Sequence, residues 1–125
     1  MKKVIGIGGV FFKSSNPDKL KEWYKENLGF DIDPYGTIFQ WNDSDNNTNN
    51  NYTIWSPFSS ETKYFEPSEK EFMINFVVSD IQSLVTELKS AGVSILDEIA
   101  TYEYGKFVHI MDIDGNKLEL WEPSK

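Results

Sequence analysis

The sequence contains no cysteine among its 125 residues. Without thiols the chain can form no disulfide, no thiolate metal site and no cysteine nucleophile. No apolar run approaches the roughly 20 residues that a membrane-spanning helix needs, and the start MKK is not followed by a signal-peptide pattern. These absences are compatible with a cytoplasmic location, which we expect for this chain, and no membrane partner is expected.

Positive charge is also scarce, with 12 basic residues against 20 acidic ones and a formal net charge of −8. Nucleic acids and anionic membranes attract basic surfaces, so neither is expected to be the main partner. A neutral or cationic small ligand is easier to accommodate. The same balance is also a common means of staying soluble.

The first half of the chain reads as a strand, a helix, a glycine and further strands. Residues 4–12 form an apolar strand, and the helix begins after the N-cap Asn16, has Pro17 at its first position and ends at Gly29. Two short strands follow, at residues 36–41 and 52–55. Between them the segment NDSDNNTNNN, residues 42–51, has no apolar side chain, and we expect a flexible hairpin loop there.

The second half repeats this order. An apolar strand at residues 72–78 precedes a helix that is capped by Ser79 or Asp80 and ended by Gly92. Three strands follow, near residues 93–99, 106–111 and 117–121. The pattern is that of an internal repeat of β-α-β-β-β type.

Because the length of the chain is typical of one domain, we expect a single domain over residues 1–125 that contains both halves of the repeat. The first module covers about 1–56 and the second about 72–125. Residues 57–71, which contain two prolines and many polar residues, form the predicted connection. Towards the end of this region, the segment KYFEPSEKEF, residues 63–72, is a candidate for closing over a cavity or over a dimer partner.

Near the end of the chain, HIMDIDGNKLELWEP holds the only histidine, His109, and the carboxylate Glu119. If residues 113–115 form a three-residue loop with Gly115 at positive φ, His109 lies opposite Glu119. The remaining predicted pairs are Asp112 with Asn116, Ile110 with Leu118, and Val108 with Leu120. A two-residue loop would place His109 against Leu120 and scatter the aliphatic residues over both faces. The first register is favoured because it gathers them on one face that can be buried.

The turns LGF (residues 28–30) and AGV (91–93) and above all the hairpin DIDGNKLEL (112–120) resemble the vicinal oxygen chelate superfamily. That group includes glyoxalase I, extradiol dioxygenases, fosfomycin resistance proteins and bleomycin resistance proteins. The resemblance implies an α+β fold in which two β-α-β-β-β modules form a curved mixed sheet around a cavity. It also implies a homodimer, since members commonly complete the fold by pairing.

In that superfamily the position matching Glu119 supplies a metal-ligating carboxylate. The other usual ligand positions fall near Gly8, near Met73, and near Ile54 or Trp55, and none of these offers a ligand side chain. A site with two histidines cannot be built within a chain that has one. We therefore expect no metal and no other cofactor, although a divalent metal is what the resemblance alone would imply.

Without a metal, His109 and Glu119 are candidate catalytic residues, because a carboxylate beside an imidazole makes a competent general base. The resemblance places them on a cavity wall with five candidate substrate-binding residues, which are Trp41, Trp55, Phe107, Met111 and Trp121. Tyr102 and Tyr104 are candidates for covering the cavity mouth.

Three functions remain open. The first is a small-molecule-binding, glyoxalase-like protein that acts as a metal-independent lyase or isomerase. The second is a non-catalytic protein that sequesters a ligand or antibiotic, as bleomycin resistance proteins do. The third, a metalloenzyme such as a dioxygenase, is the least supported because the ligands are missing. The competing structural interpretation is that His109 and Glu119 form an ordinary cross-strand pair worth roughly 0.2–1 kcal/mol.

Overall fold

A computed structural model of the chain describes residues 3–43 and 48–124. Two helices and eight strands follow one another in the order β1 (Val4–Ser14), α1 (Pro17–Leu28), β2 (Thr37–Asp43), β3 (Thr48–Ser59), β4 (Phe72–Val78), α2 (Ile81–Ser90), β5 (Ser94–Ile95), β6 (Ala100–Tyr102), β7 (Gly105–Met111) and β8 (Lys117–Pro123). The predicted α+β class is confirmed. No helix within the described residues is long and apolar enough to cross a membrane.

The described strands belong to one curved, open sheet in the order β2-β3-β1-β4-β8-β7-β5, with β6 paired to β7. The pairs β1–β3 and β4–β8 are parallel, and β1 pairs antiparallel with β4 in the middle of the sheet. Each half thus presents a parallel pair beside the central seam. The result is the mixed sheet that the family resemblance implies. Within the described residues, two strands follow the helix in the first half and four follow it in the second.

Both helices begin and end where capping chemistry predicts. The side chain of Asn16 accepts a hydrogen bond from the amide of Lys19 at 3.1 Å, and Gly29 ends α1 with φ of 73°. In α2 the N-cap is Asp80, the second of the two residues considered, and Gly92 follows its C-terminus with φ of 82°.

The two helices differ in how much they bury. In α2, Ile81, Leu84 and Val85 pack against Val108, Ile110 and Leu120 of the terminal hairpin. Side chains buried to this degree each contribute about 1.5–3 kcal/mol to stability. In α1 no residue is fully buried, and Trp23 keeps 53% of its surface exposed.

The asparagine-rich segment is less loop-like than predicted. Strand β2 extends to Asp43 and β3 begins at Thr48, so only residues 44–47 of the predicted loop lie outside the described residues. Strand β3 is also much longer than the predicted strand at 52–55. It pairs with β2 on one side and β1 on the other, and these backbone hydrogen bonds outweigh the weak strand propensity of asparagine.

The predicted connection begins within β3, which runs to Ser59, and its remainder packs against the rest of the chain. Phe65 is only 1% exposed and joins a cluster with Phe11 and Met73. The hydroxyl of Ser68 donates to the carbonyl of Gly115 at 2.7 Å. These contacts fix the connection beside the terminal hairpin.

Candidate functional site

The terminal hairpin adopts the register that the aliphatic pattern favours. His109 pairs with Glu119, and the amide of Asp112 donates to the carbonyl of Asn116 at 3.0 Å. Gly115 takes φ of 81° in the loop, as expected for its position. Ile110 pairs with Leu118 and Val108 with Leu120, and this face packs against α2. The opposite face therefore holds His109 and Glu119.

His109 lies between two carboxylates. Its Nδ1 is 2.6 Å from Oδ2 of Asp97, and its Nε2 is 2.8 Å from Oε2 of Glu119. The backbone amide of His109 also donates to Oδ1 of Asp97 at 2.7 Å. Both ring nitrogens face carboxylate oxygens, and this arrangement favours the doubly protonated imidazolium form of the ring.

Glu119 is surrounded by hydrogen-bond donors. Besides His109, the hydroxyl of Tyr64 donates to Oε2, and Nδ2 of Asn75 donates to Oε1 at 2.7 Å. The carboxylate side chain is only 6% exposed. Hydrogen bonds to a charged group contribute about 1.5–3 kcal/mol each, so these donors offset the cost of burying the charge.

The charges of the network follow from this geometry. Burial opposes the imidazolium, but the hydrogen bonds to Glu119 and Asp97 outweigh it and raise the pKa of His109 above 6.5. Burial likewise favours the neutral form of Glu119, yet the donors around it, above all His109, hold its pKa below the ordinary range. Burial, followed by the neighbouring carboxylate of Glu119, raises the pKa of the Tyr64 hydroxyl. At neutral pH Tyr64 is therefore a neutral phenol.

The side chains of this network line a cavity of about 510 Å³. The remaining wall is mostly aromatic. The lining residues are Phe11, Tyr52, Ile54, Phe58, Tyr64, Asn75, Asp97, Ala100, Tyr102, Tyr104, Phe107, His109, Glu119 and Trp121.

Four of the seven residues predicted from the sequence line this cavity, namely His109, Glu119, Phe107 and Trp121. The rings of Phe107 and Trp121 are stacked with centroids 5.8 Å apart. The indole nitrogen of Trp121 donates to the carbonyl of Tyr104 at 2.9 Å. The structure thus brings together the predicted pair and two of its predicted aromatic neighbours.

The other three predicted residues, Trp41, Trp55 and Met111, do not line the cavity. In β3, Tyr52 and Ile54 face the cavity, so strand alternation turns Trp55 to the opposite face, where its ring is 4.5 Å from that of Tyr24. The indole of Trp41 donates to Thr53 at 2.9 Å. Met111 lies at the loop end of β7, paired with Ser94 and Lys117. These three predicted residues are therefore not among the side chains that line the cavity.

Three residues of the network were missed in the sequence. Asp97 follows the short strand β5, Asn75 lies within the apolar strand β4, and Tyr64 lies in the connection between the halves. An asparagine within the run FMINFVV is a signal that could have been used, because a polar side chain inside a buried strand needs a partner. No comparable local signal marks Tyr64 or Asp97.

The residues around Glu119 do not fit a divalent metal. The β4–β8 register places Asn75 beside Glu119, whereas Met73 is buried in the cluster with Phe11 and Phe65. A Cβ atom on Gly8 would lie 2.3 Å from Oδ1 of Asn75, so the asparagine occupies the space of a side chain at position 8. The described part of the chain contains no group of three His, Asp or Glu residues arranged to hold a metal.

Comparison with known proteins agrees with this architecture. The family model described as the Glyoxalase/Bleomycin resistance protein/Dioxygenase superfamily matches residues 7–120. No curated protein is significantly similar in sequence to this chain.

Similar solved structures share the fold at low sequence identity. A Streptomyces coelicolor methylmalonyl-CoA epimerase variant in complex with 2-nitronate-propionyl-CoA is 15% identical, with a TM-score of 0.70 over 98% of this chain and 99% of that one. The methylmalonyl-CoA epimerase of Mycobacterium tuberculosis is 18% identical, with a TM-score of 0.67 over 100% of this chain and 92% of that one. These similarities show the fold alone. Because the family model matches nearly the whole chain, the protein belongs to the glyoxalase, bleomycin resistance protein and dioxygenase superfamily, also called the vicinal oxygen chelate superfamily.

Proposed function

We propose that this protein binds a small organic molecule in the aromatic cavity and holds it without transforming it, with His109 and Glu119 at the polar end. The observation that carries the proposal is the cavity itself. Its volume of about 510 Å³ lies within the roughly 300–1,000 Å³ typical of ligand pockets. Its mostly aromatic wall with a small group of polar side chains is also typical of such pockets.

Binding is favoured over general-base catalysis because both ring nitrogens of His109 and most of the acceptor sites of Glu119 are already engaged within the chain. A general base needs a lone pair that can reach the substrate proton. Both ring nitrogens of His109 are engaged by carboxylates at 2.6 and 2.8 Å. Glu119 is a weak base because the donors around it lower its pKa. The pair is therefore better suited to orienting a ligand than to abstracting a proton.

The second candidate is the metal-independent isomerase or lyase. It is favoured by the continuous hydrogen-bonded path from Glu119, 6% exposed, through His109 to Asp97, whose side chain is 46% exposed. Such a path could exchange protons between the cavity and solvent. Methylmalonyl-CoA epimerases, which share the fold, catalyse an isomerisation.

We also propose that the protein is a cytoplasmic homodimer with no nucleic-acid or membrane partner. The support for pairing is family membership and a set of exposed apolar side chains, since Ile38 and Phe39 of the edge strand β2 are 51% and 48% exposed. Sedimentation equilibrium should give twice the 14.5 kDa mass of one chain. A monomer at all concentrations up to about 100 µM, the upper end of ordinary association measurements, would contradict pairing.

The experiment that tests ligand binding is a small-molecule screen followed by NMR of ¹⁵N-labelled protein. Any compound that stabilises the protein is incubated with wild type, His109→Ala, Glu119→Gln and the control Asp114→Asn, in which the change lies in the exposed hairpin loop. We expect weaker binding in the two site variants, wild-type behaviour in the control, and recovery of the compound unchanged. Turnover by wild type that disappears in Glu119→Gln would replace this proposal with the isomerase or lyase. Compounds that bind without affecting any cavity signal would contradict both.

A further inference from the structure

The ionisable groups that line the cavity leave it negatively charged. They comprise the carboxylates of Asp97 and Glu119 and the imidazolium of His109, so two negative charges and one positive charge give a net charge of −1. No lysine is among the lining residues, and the sequence contains no arginine. Among the lining residues an anionic ligand would thus find no free cationic partner, since the imidazolium is already shared between two carboxylates. The ammonium of Lys117 is not part of the lining; it lies 5.0 Å from the centroid of the Tyr64 ring and donates to the carbonyl of Tyr64.

The hydrogen-bonding groups at this end offer acceptors rather than donors. The ring N–H groups of His109 point to carboxylates, and both the Tyr64 hydroxyl and Nδ2 of Asn75 donate to Glu119. In contrast, Oδ1 of Asn75 accepts no hydrogen bond within the described residues, although Asn75 is only 2% exposed. An unpaired buried acceptor is unfavourable, so a donor that gained access to this atom, from water or from a ligand, would be stabilised there.

The aromatic wall adds a second feature that favours positive charge. Tyr102 and Tyr104 are stacked with centroids 5.5 Å apart, and the ring of Tyr52 is 5.0 Å from that of Trp121. Aromatic faces carry negative electrostatic potential and attract ammonium groups, the more strongly when water is excluded. The net charge of −8 of the whole chain acts in the same direction over longer distances.

We infer that the cavity selects an organic cation, namely an amine whose protonated nitrogen lies at the Asp97–His109–Glu119 end and whose apolar or aromatic body lies against Trp121 and Phe107. The inference rests on the proposed binding function and names its ligand class. It separates this protein from the structurally similar epimerases. A coenzyme A thioester is polyanionic, and this cavity has no lysine or arginine to neutralise it.

The test uses three compounds with the same indole body and different charge: tryptamine, which is cationic at pH 7, the neutral alcohol tryptophol, and the anion indole-3-propionate. Dissociation constants are measured by calorimetry, and ¹⁵N NMR shows whether the cavity signals of Phe107 and Trp121 shift. We expect tryptamine to bind at least about tenfold more tightly than tryptophol, and the acid to bind most weakly. Equal binding of the amine and alcohol, or tightest binding of the acid, overturns the cation inference and leaves the binding function standing. If none of the three compounds shifts the cavity signals at several millimolar, the result contradicts both the cation inference and the proposed binding function.

Variants then locate the selectivity. Glu119→Gln removes a charge with little change in shape and should weaken tryptamine about tenfold, while tryptophol changes by no more than about twofold. If Glu119→Gln proves unstable, Asp97→Asn replaces it, because Asp97 is at the more exposed end of the network. This variant should also weaken the binding of tryptamine. Asp114→Asn removes one charge from the exposed loop and is the matched control. If the control weakens tryptamine as much as either site variant, selectivity comes from the overall charge of the chain and the inference is wrong.

Discussion

Replacing Glu119 by Gln removes the acceptor that organises the polar end of the cavity. The carboxylate is 6% exposed and accepts from His109 at 2.8 Å, from Asn75 at 2.7 Å and from the Tyr64 hydroxyl. The amide can keep the bond to Asn75 but replaces the other oxygen by a donor. With about 1.5–3 kcal/mol for each hydrogen bond to a charged group, and part of the loss regained by rearrangement, we expect the free energy of unfolding to fall by about 2–4 kcal/mol.

The assay for this reasoning is a pH titration of the histidine ring by NMR. His109 is the only histidine, so a single ring signal reports its protonation without assignment work. In wild type its pKa should lie above 6.5, because the bonds to Glu119 and Asp97 outweigh the effect of burial. In Glu119→Gln the pKa should be lower than in wild type, and in Asp114→Asn it should be unchanged. An identical pKa in wild type and Glu119→Gln would refute the account of the network.

Three further outcomes are expected. Because the pKa of His109 is raised in the folded protein, its contribution to stability is complete below the unfolded pKa and is lost as the pH rises through the folded value. In urea unfolding, the free energy of unfolding should therefore decrease as the pH is raised above about 6.5. The decrease should be smaller in His109→Gln, and an equal decrease in that variant would contradict this prediction. Gly8→Ala should lower the free energy of unfolding by about 1–3 kcal/mol, because the new Cβ would lie 2.3 Å from Oδ1 of Asn75. An unchanged melting temperature would show that the side chain of Asn75 can move aside without cost. Phe65→Ala should cost about 3–5 kcal/mol in chemical denaturation, against no more than about 0.5 kcal/mol for Tyr35→Ala, because Tyr35 is 78% exposed. Similar costs for the two variants would mean that Phe65 does not anchor the connection.

The features that could be predicted from the sequence are those set by local chemistry. The helix ends follow from Asn16, Gly29, Asp80 and Gly92, since caps and positive-φ glycines act within one turn. The pairing of His109 with Glu119 followed from strand alternation and one loop length.

The remaining site residues could not be predicted because they depend on the order of strands in the sheet. Tyr64 reaches His109 across 45 residues of sequence and Asn75 reaches Glu119 across 44, and no local pattern encodes either contact. The position of Trp55 outside the cavity lining depends on the sheet in a related way. Which face of β3 lies over the cavity depends on its parallel register with β1, in which Val10 lies beside Trp55.

The central claim, that the aromatic cavity beside His109 and Glu119 is the ligand site, is tested most directly by the indole N–H signals of the tryptophans in ¹⁵N-labelled protein. Trp121 lines the cavity, whereas Trp55 packs on the opposite face of β3 against Tyr24. Addition of tryptamine should shift the Trp121 signal in a saturable way and leave the Trp55 signal in place. A saturable shift of Trp55 with Trp121 unchanged would place the ligand elsewhere and contradict the account.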